Sequence, residues 1–140
     1  MRLWHIELLP VLPRKQLLGQ WRECCLIAKN IALHGKPGHI LVNRIMDYPM
    51  EDFFTYGYAV FKEMHKRGYK ADFSKFAKHL FTNFSLAPDN LSDDPFYNWH
   101  DYRYMAQCFF NLQEKRDCGG ISGEEWNKIC LFYNEEYCNK

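Results

Sequence analysis

The 140-residue chain has no apolar run near the roughly 18 residues that a membrane span needs, so no membrane partner is expected. Its opening does not read as a signal peptide, because Pro10, Pro13 and Arg14-Lys15 break the apolar stretch. A cytoplasmic location, nucleoid-associated or within a host cell, is the expectation. The six cysteines (Cys24, Cys25, Cys108, Cys118, Cys130, Cys138) form no CxxC pair and no Cys/His set with zinc-finger spacing. Free thiols, no disulfide and no metal are expected. There is no Walker or Gly-x-Gly-x-x-Gly phosphate loop, and no cofactor is expected. The run Gly119 to Trp126 imitates the back half of a calcium loop. Its front half would place Glu114, Arg116 and Cys118 on the ion, and a cation does not accept arginine there. No segment alternates as a strand and no internal repeat is present. Strong net charge is missing too: +1 does not announce a nucleic-acid binder.

What the chain does have is apolar content for one core: 47% hydrophobic and 25% charged residues at a length that suits a single domain, 1–140. Charge is uneven along it. Residues 1–46 hold seven Lys/Arg against two acids, whereas residues 82–140 hold five against ten. One basic side can meet phosphate while the other stays solvated. The aromatic load of 17% exceeds what a core demands and leaves rings for stacking on bases.

Residues 1–12 read as an extended apolar arm that packs on the body. Pro13, placed at the first position of a helix, opens an amphipathic helix over about 13–30. A loop follows to about 48. A second helix is expected over 50–67, with Glu51 and Asp52 near its start, Lys62, Lys66 and Arg67 near its end, and Gly68 as its stop. Further helices are expected over 72–81, 97–116 and 122–137, the last opened by the Ser122-x-x-Glu125 capping box. The fold is expected to be all-α, a compact helical bundle in one domain, and a monomer.

The most informative cluster lies on the first helix. Gln16, Gly19, Gln20 and Glu23 are three or four apart and share a face, flanked by Lys15 and Arg22. Glycine inside a helix costs about 1 kcal/mol relative to alanine, and close approach of another backbone or of a ligand is its usual compensation. The six histidines form no nucleophile–base–orienter set in sequence and read as structural.

Met1-Arg2-Leu3-Trp4 and the run from Leu12 to Cys24 (Leu-Pro-Arg-Lys-Gln-Leu-Leu-Gly-Gln-Trp-Arg-Glu-Cys) resemble the pyrimidine-dimer DNA glycosylase family. His65 to Tyr69 is similar to the end of that family's middle helix, and Tyr97-x-x-His100-Asp101 and Glu114-Lys115 are similar more loosely. The resemblance implies a helical domain whose N-terminal arm inserts between helices, and damaged double-stranded DNA as partner. It implies a glycosylase with AP lyase activity. The terminal amine attacks the sugar C1′, the base leaves, and β-elimination cuts the strand. By position Met1 supplies the amine, because a residue as large as Arg2 blocks methionine removal, and Glu23 is the carboxylate partner. Arg2 and Arg22 fall where the family holds phosphate, and Lys15 and Gln16 where it contacts DNA beside the lesion. Leu26 replaces a family arginine, with Lys29 as the available substitute, and Lys115 is placed among the DNA contacts. Trp126, Phe132, Tyr133 and Tyr137 loosely resemble the family's aromatic tail. In the family the duplex is kinked and a base opposite the lesion is flipped out.

An α-amine suits this chemistry, since it titrates near about 7.7–8.0 whereas lysine titrates near about 10.4. More of it is uncharged and nucleophilic at neutral pH. A nearby carboxylate stabilises the cationic sugar and imine and relays protons. The same residues also fit this chemistry on other damaged bases, or a non-catalytic binding module.

Overall fold

The computed structural model describes residues 1–87, 89 and 91–138, the last two without their side chains; Tyr137 and Cys138, as side chains, therefore lie outside the described residues. The fold is all-α. Among the described residues, five α-helices run over Arg14–His34 (α1), Met50–Lys66 (α2), Ser74–Phe84 (α3), Tyr102–Asp117 (α4) and Gly123–Tyr133 (α5). Short 3-10 turns cover Ile6–Val11 and Asn43–Asp47, and a π turn covers Asn134–Cys138. No strand occurs among the described residues, and none of their helices is long and apolar enough to cross a membrane. Cys24, Cys25, Cys108, Cys118 and Cys130 are free thiols.

α1 buries Leu17, Gln20, Trp21, Cys24, Ile27, Ala28 and Ile31, the three-and-four spacing of one helical face. That face packs on α2 and α3. Gly57 on α2 leaves room for the Phe76 ring of α3: a Cβ there would sit 2.0 Å from the ring. The helix begins one residue later than expected, with Pro13 outside it in an extended conformation (ψ 154°). It also runs four residues beyond the expected end. Gly35, in the left-handed region at φ 77°, stops it and returns its N–H to the Ile31 carbonyl.

The N-terminal arm is extended only through residue 5. From Ile6 it winds into a 3-10 turn with Pro10 inside, correcting the expectation of an extended arm to residue 12. His5 Nδ1 accepts the Glu7 N–H at 3.1 Å and caps the turn. At its far end the Arg67 guanidinium takes the carbonyls of Leu9, Pro10 and Leu12 at 3.1, 3.2 and 2.8 Å. Arg67 is held in turn by Glu63 at 2.8 Å.

α4 begins five residues later than the pattern suggests. Phe96 and Asn98 have φ of 61° and 70°, a left-handed conformation that a helix cannot contain. Buried Asp52 holds that turn by accepting the Phe96 N–H at 3.0 Å, and Asp101 then caps the helix through the Tyr104 N–H at 2.9 Å. α5 opens with the expected capping box of Ser122 and Glu125, and Glu125 also accepts the Arg14 N–H at 2.8 Å. α3 lies two to three residues downstream of its expected span, and α5 ends at Tyr133 before the π turn.

Candidate active site

The first five residues have no neighbouring strand, so side chains satisfy their backbone. The Gln20 amide, 1% exposed, is the centre of this arrangement. Its Oε1 accepts the Trp4 N–H at 2.7 Å and the Tyr56 hydroxyl at 2.9 Å. Its Nε2 donates to the Arg2 carbonyl at 3.0 Å and to Glu23 Oε2 at 3.4 Å. Tyr56 also donates to the Trp4 carbonyl at 2.6 Å. Tyr104 of α4 donates to the Leu3 carbonyl, and the Ile6 N–H reaches His100 Nδ1 at 2.9 Å. Three helices therefore pin the arm, and its head emerges beside Glu23.

Glu23 is half-buried, and burial raises its carboxyl above the ordinary range. Four groups act against that. The terminal ammonium of Met1 is the largest, followed by the Arg2 backbone N–H, His39 and Arg22. Met1 itself is 37% exposed. A terminal ammonium on a partly exposed residue thus shares its surroundings with a carboxyl that is easier to protonate than usual, which suits proton transfer.

The N-terminal 76 residues carry all of this except Tyr104 and His100. A comparison with protein-family models matches pyrimidine dimer DNA glycosylase over residues 1–76, more than half of the chain. The chain belongs to the pyrimidine dimer DNA glycosylase family. No curated protein and no solved structure matches it.

As a member of a DNA-glycosylase family, the protein carries its cations at different distances from the Met1–Glu23 pair. Arg22 is exposed and within electrostatic reach of Glu23. Lys15, two turns earlier on α1, is exposed. Gln16 is half-buried, and its Oε1 has no hydrogen-bond partner. Arg2 does not project freely: it is half-buried, with its guanidinium 5.5 Å from the Trp4 ring centroid. Lys29 is exposed but sits toward α3, where it and Lys78 hold the His79 pKa down alongside burial. Lys115 is exposed one turn beyond Asn111 on α4. Leu26, 45% exposed, occupies the α1 surface between Arg22 and Lys29.

A cleft of about 470 Å³ opens beside the arm, between the segment after α1 and α4. Arg2 of the arm, Ile40, Leu41 and Arg44 after α1, and Trp99, Tyr104, Gln107, Phe110 and Asn111 in and before α4 line it. Sequence reasoning missed this cleft and His39, and it placed Gln20 on the Glu23 face without showing that it anchors the arm. Gln20 had a signal, three residues before Glu23 on the same face. The cleft had none, because the residues that form it are separated by some sixty positions.

His5 and His100 confirm the structural reading of these histidines. Burial lowers His5 to about 4 and His100 to about 2, so both are neutral. Their rings lie 5.1 Å apart.

Proposed function

We propose that this protein excises pyrimidine dimers from duplex DNA and then cuts the strand, using the α-amine of Met1 as nucleophile. The amine nitrogen bonds to C1′ of the damaged nucleotide while the C1′–base bond breaks and the base leaves as a protonated species. The resulting imine makes the C2′ proton acidic. Removal of that proton expels the 3′ phosphate, and water then releases the amine. Glu23 stabilises the cationic sugar and imine and carries the proton in the elimination. Arg22 and Arg2, the latter lining the cleft, bind backbone phosphate at the lesion, with Lys29 and Lys115 further out. Lys15 and Gln16 contact the DNA beside the lesion.

The observation that supports this reading is the electrostatic reach of the terminal ammonium of Met1, a residue 37% exposed, to a half-buried carboxyl. A second supports it. A Cβ on Gly19 would have no atom within 4 Å, so no neighbouring backbone explains that glycine, and the bare patch one turn from Glu23 is free for a ligand.

The test is borohydride trapping on duplexes that carry a single pyrimidine dimer or an abasic site. A covalent adduct that maps to Met1, and is lost with an uncleaved N-terminal extension, is expected. An extended protein that cuts as fast as the free one would refute the terminal-amine mechanism. A dimer duplex left intact while oxidised or alkylated bases are released would move the substrate class.

A further inference from the structure

Ile40 is 82% exposed and Leu41 is 50% exposed, side by side at the tip of the segment between α1 and the second 3-10 turn. Two adjacent branched aliphatic side chains in water are unusual on a chain whose neighbouring Val42 and Ile45 are fully buried. The tip is held rigidly. Asn43 Oδ1 accepts the N–H groups of Gly38 and His39 at 3.0 and 3.2 Å. His39 Nδ1 accepts the Leu41 N–H at 3.2 Å, and the His39 carbonyl accepts Val42 and Asn43 at 3.0 and 2.8 Å. Asn30 of α1 ties down the Pro37 carbonyl at 3.0 Å. The apolar pair is therefore presented in a fixed position, with no loop to order on binding.

Its surroundings indicate what it meets. Between Glu23 and Asp47 the chain has no acid, while Lys29, Lys36, Arg44, His34 and His39 are all present. Arg44 lines the cleft wall with the pair and packs 5.4 Å from the Trp99 ring centroid. His39, the residue before Ile40, is near enough to Glu23 to favour its charged form. An apolar tip in an acid-free stretch, with the Arg44 cation beside it in the cleft lining and the preceding residue within electrostatic reach of Glu23, matches a polyanion with an apolar interior. Stacked duplex DNA has that character.

We propose that Ile40 and Leu41 form a wedge that enters the base stack at the lesion and opens it toward the cleft behind them. This rests on the DNA-repair reading above. It adds the part of the chain that forces the step apart, at a cost in lost stacking that phosphate contacts from the cations of that stretch offset.

The test uses the full chain and a duplex that carries a tetrahydrofuran abasic analogue, which cannot form an imine, with 2-aminopurine beside it. Binding is followed by anisotropy and unstacking by 2-aminopurine fluorescence. The unaltered chain is expected to raise the fluorescence at saturation, as an unstacked base does. The double variant Ile40→Ser, Leu41→Ser should bind but lose most of that rise, and Ile40→Phe should retain it. Thermal melts establish that the exposed substitutions leave the fold intact. A double variant that unstacks the base as well as the unaltered chain overturns the wedge. So does concentration-dependent self-association of the unaltered chain that the double variant abolishes, because the pair would then face a second copy. Unstacking by a chain that traps no adduct on reducible abasic DNA would sink the glycosylase reading and leave the wedge standing.

Discussion

Replacing Gln20 with leucine separates the role of the arm's anchor from that of the fold. Leucine matches the shape of the side chain but cannot bond to it. The Trp4 N–H and the Arg2 carbonyl lose their partners at 2.7 and 3.0 Å, whereas the Tyr56 hydroxyl keeps the Trp4 carbonyl at 2.6 Å. A buried polar group left unpaired costs about 1–3 kcal/mol, so the two orphaned groups together cost about 2–6 kcal/mol. For a domain of this size each kcal/mol is worth about 3–5 °C in Tm, which places the expected drop at about 6–30 °C. Activity should fall much further at temperatures where the variant is folded. A misplacement of about 1 Å in a reacting group costs on the order of a hundredfold, and Gln20 fixes both the arm and Glu23. The assay is single-turnover cleavage of abasic duplex at 20–30 °C below the variant's Tm, beside a melt followed by circular dichroism. Cleavage within about threefold of the unaltered chain, with the Tm lowered as expected, would refute the claim that this amide positions the reactive head.

Gly19→Ala should raise stability by about 1 kcal/mol, since a Cβ there meets nothing and alanine favours the helix. It should weaken duplex cleavage if DNA occupies the bare patch; unchanged kcat/KM would remove Gly19 from the interface. Glu23→Gln should abolish strand cleavage yet raise Tm at pH 7. Burial lifts the Glu23 carboxyl above its unfolded value, so its charged form opposes folding at neutral pH. That penalty is absent below the unfolded range near about 4, and the Tm difference should shrink toward that pH. His5 and His100 are held neutral, at about 4 and about 2. They leave stability unchanged above about pH 6.5 and cost stability as pH falls from there toward about 4, by up to about 2.7 kcal/mol per pH unit where both take up protons on unfolding. A Tm flat between pH 7 and 4 would contradict their buried, neutral placement.

The helical architecture was legible because its signals are local. A three-and-four apolar spacing marks α1, a charge gradient marks α2, and the Ser122–Glu125 box marks the start of α5. The departures come from contacts between distant residues. No local pattern predicts that Phe96 and Asn98 turn left-handed, because Asp52, forty-four residues earlier, holds that turn. The 3-10 winding of the arm depends likewise on Arg67, more than fifty positions away. Glu23 could be singled out from its neighbours on one helical face. That Gln20 beside it is buried, and that Arg2 lies in a cleft, follow from which helices the arm meets. A linear sequence does not state this.

Because the anchors of the arm come from α1, α2 and α4, its seat is complete only once all three helices have come together. Gln20 and Tyr56 can engage early, but Tyr104 must emerge before the Leu3 carbonyl is satisfied. Until then the arm lacks one of the bonds that hold it against the bundle beside Glu23. Assembly of the bundle therefore completes the surroundings of that carboxyl, and a copy broken before α4 would carry the same residues without the arrangement.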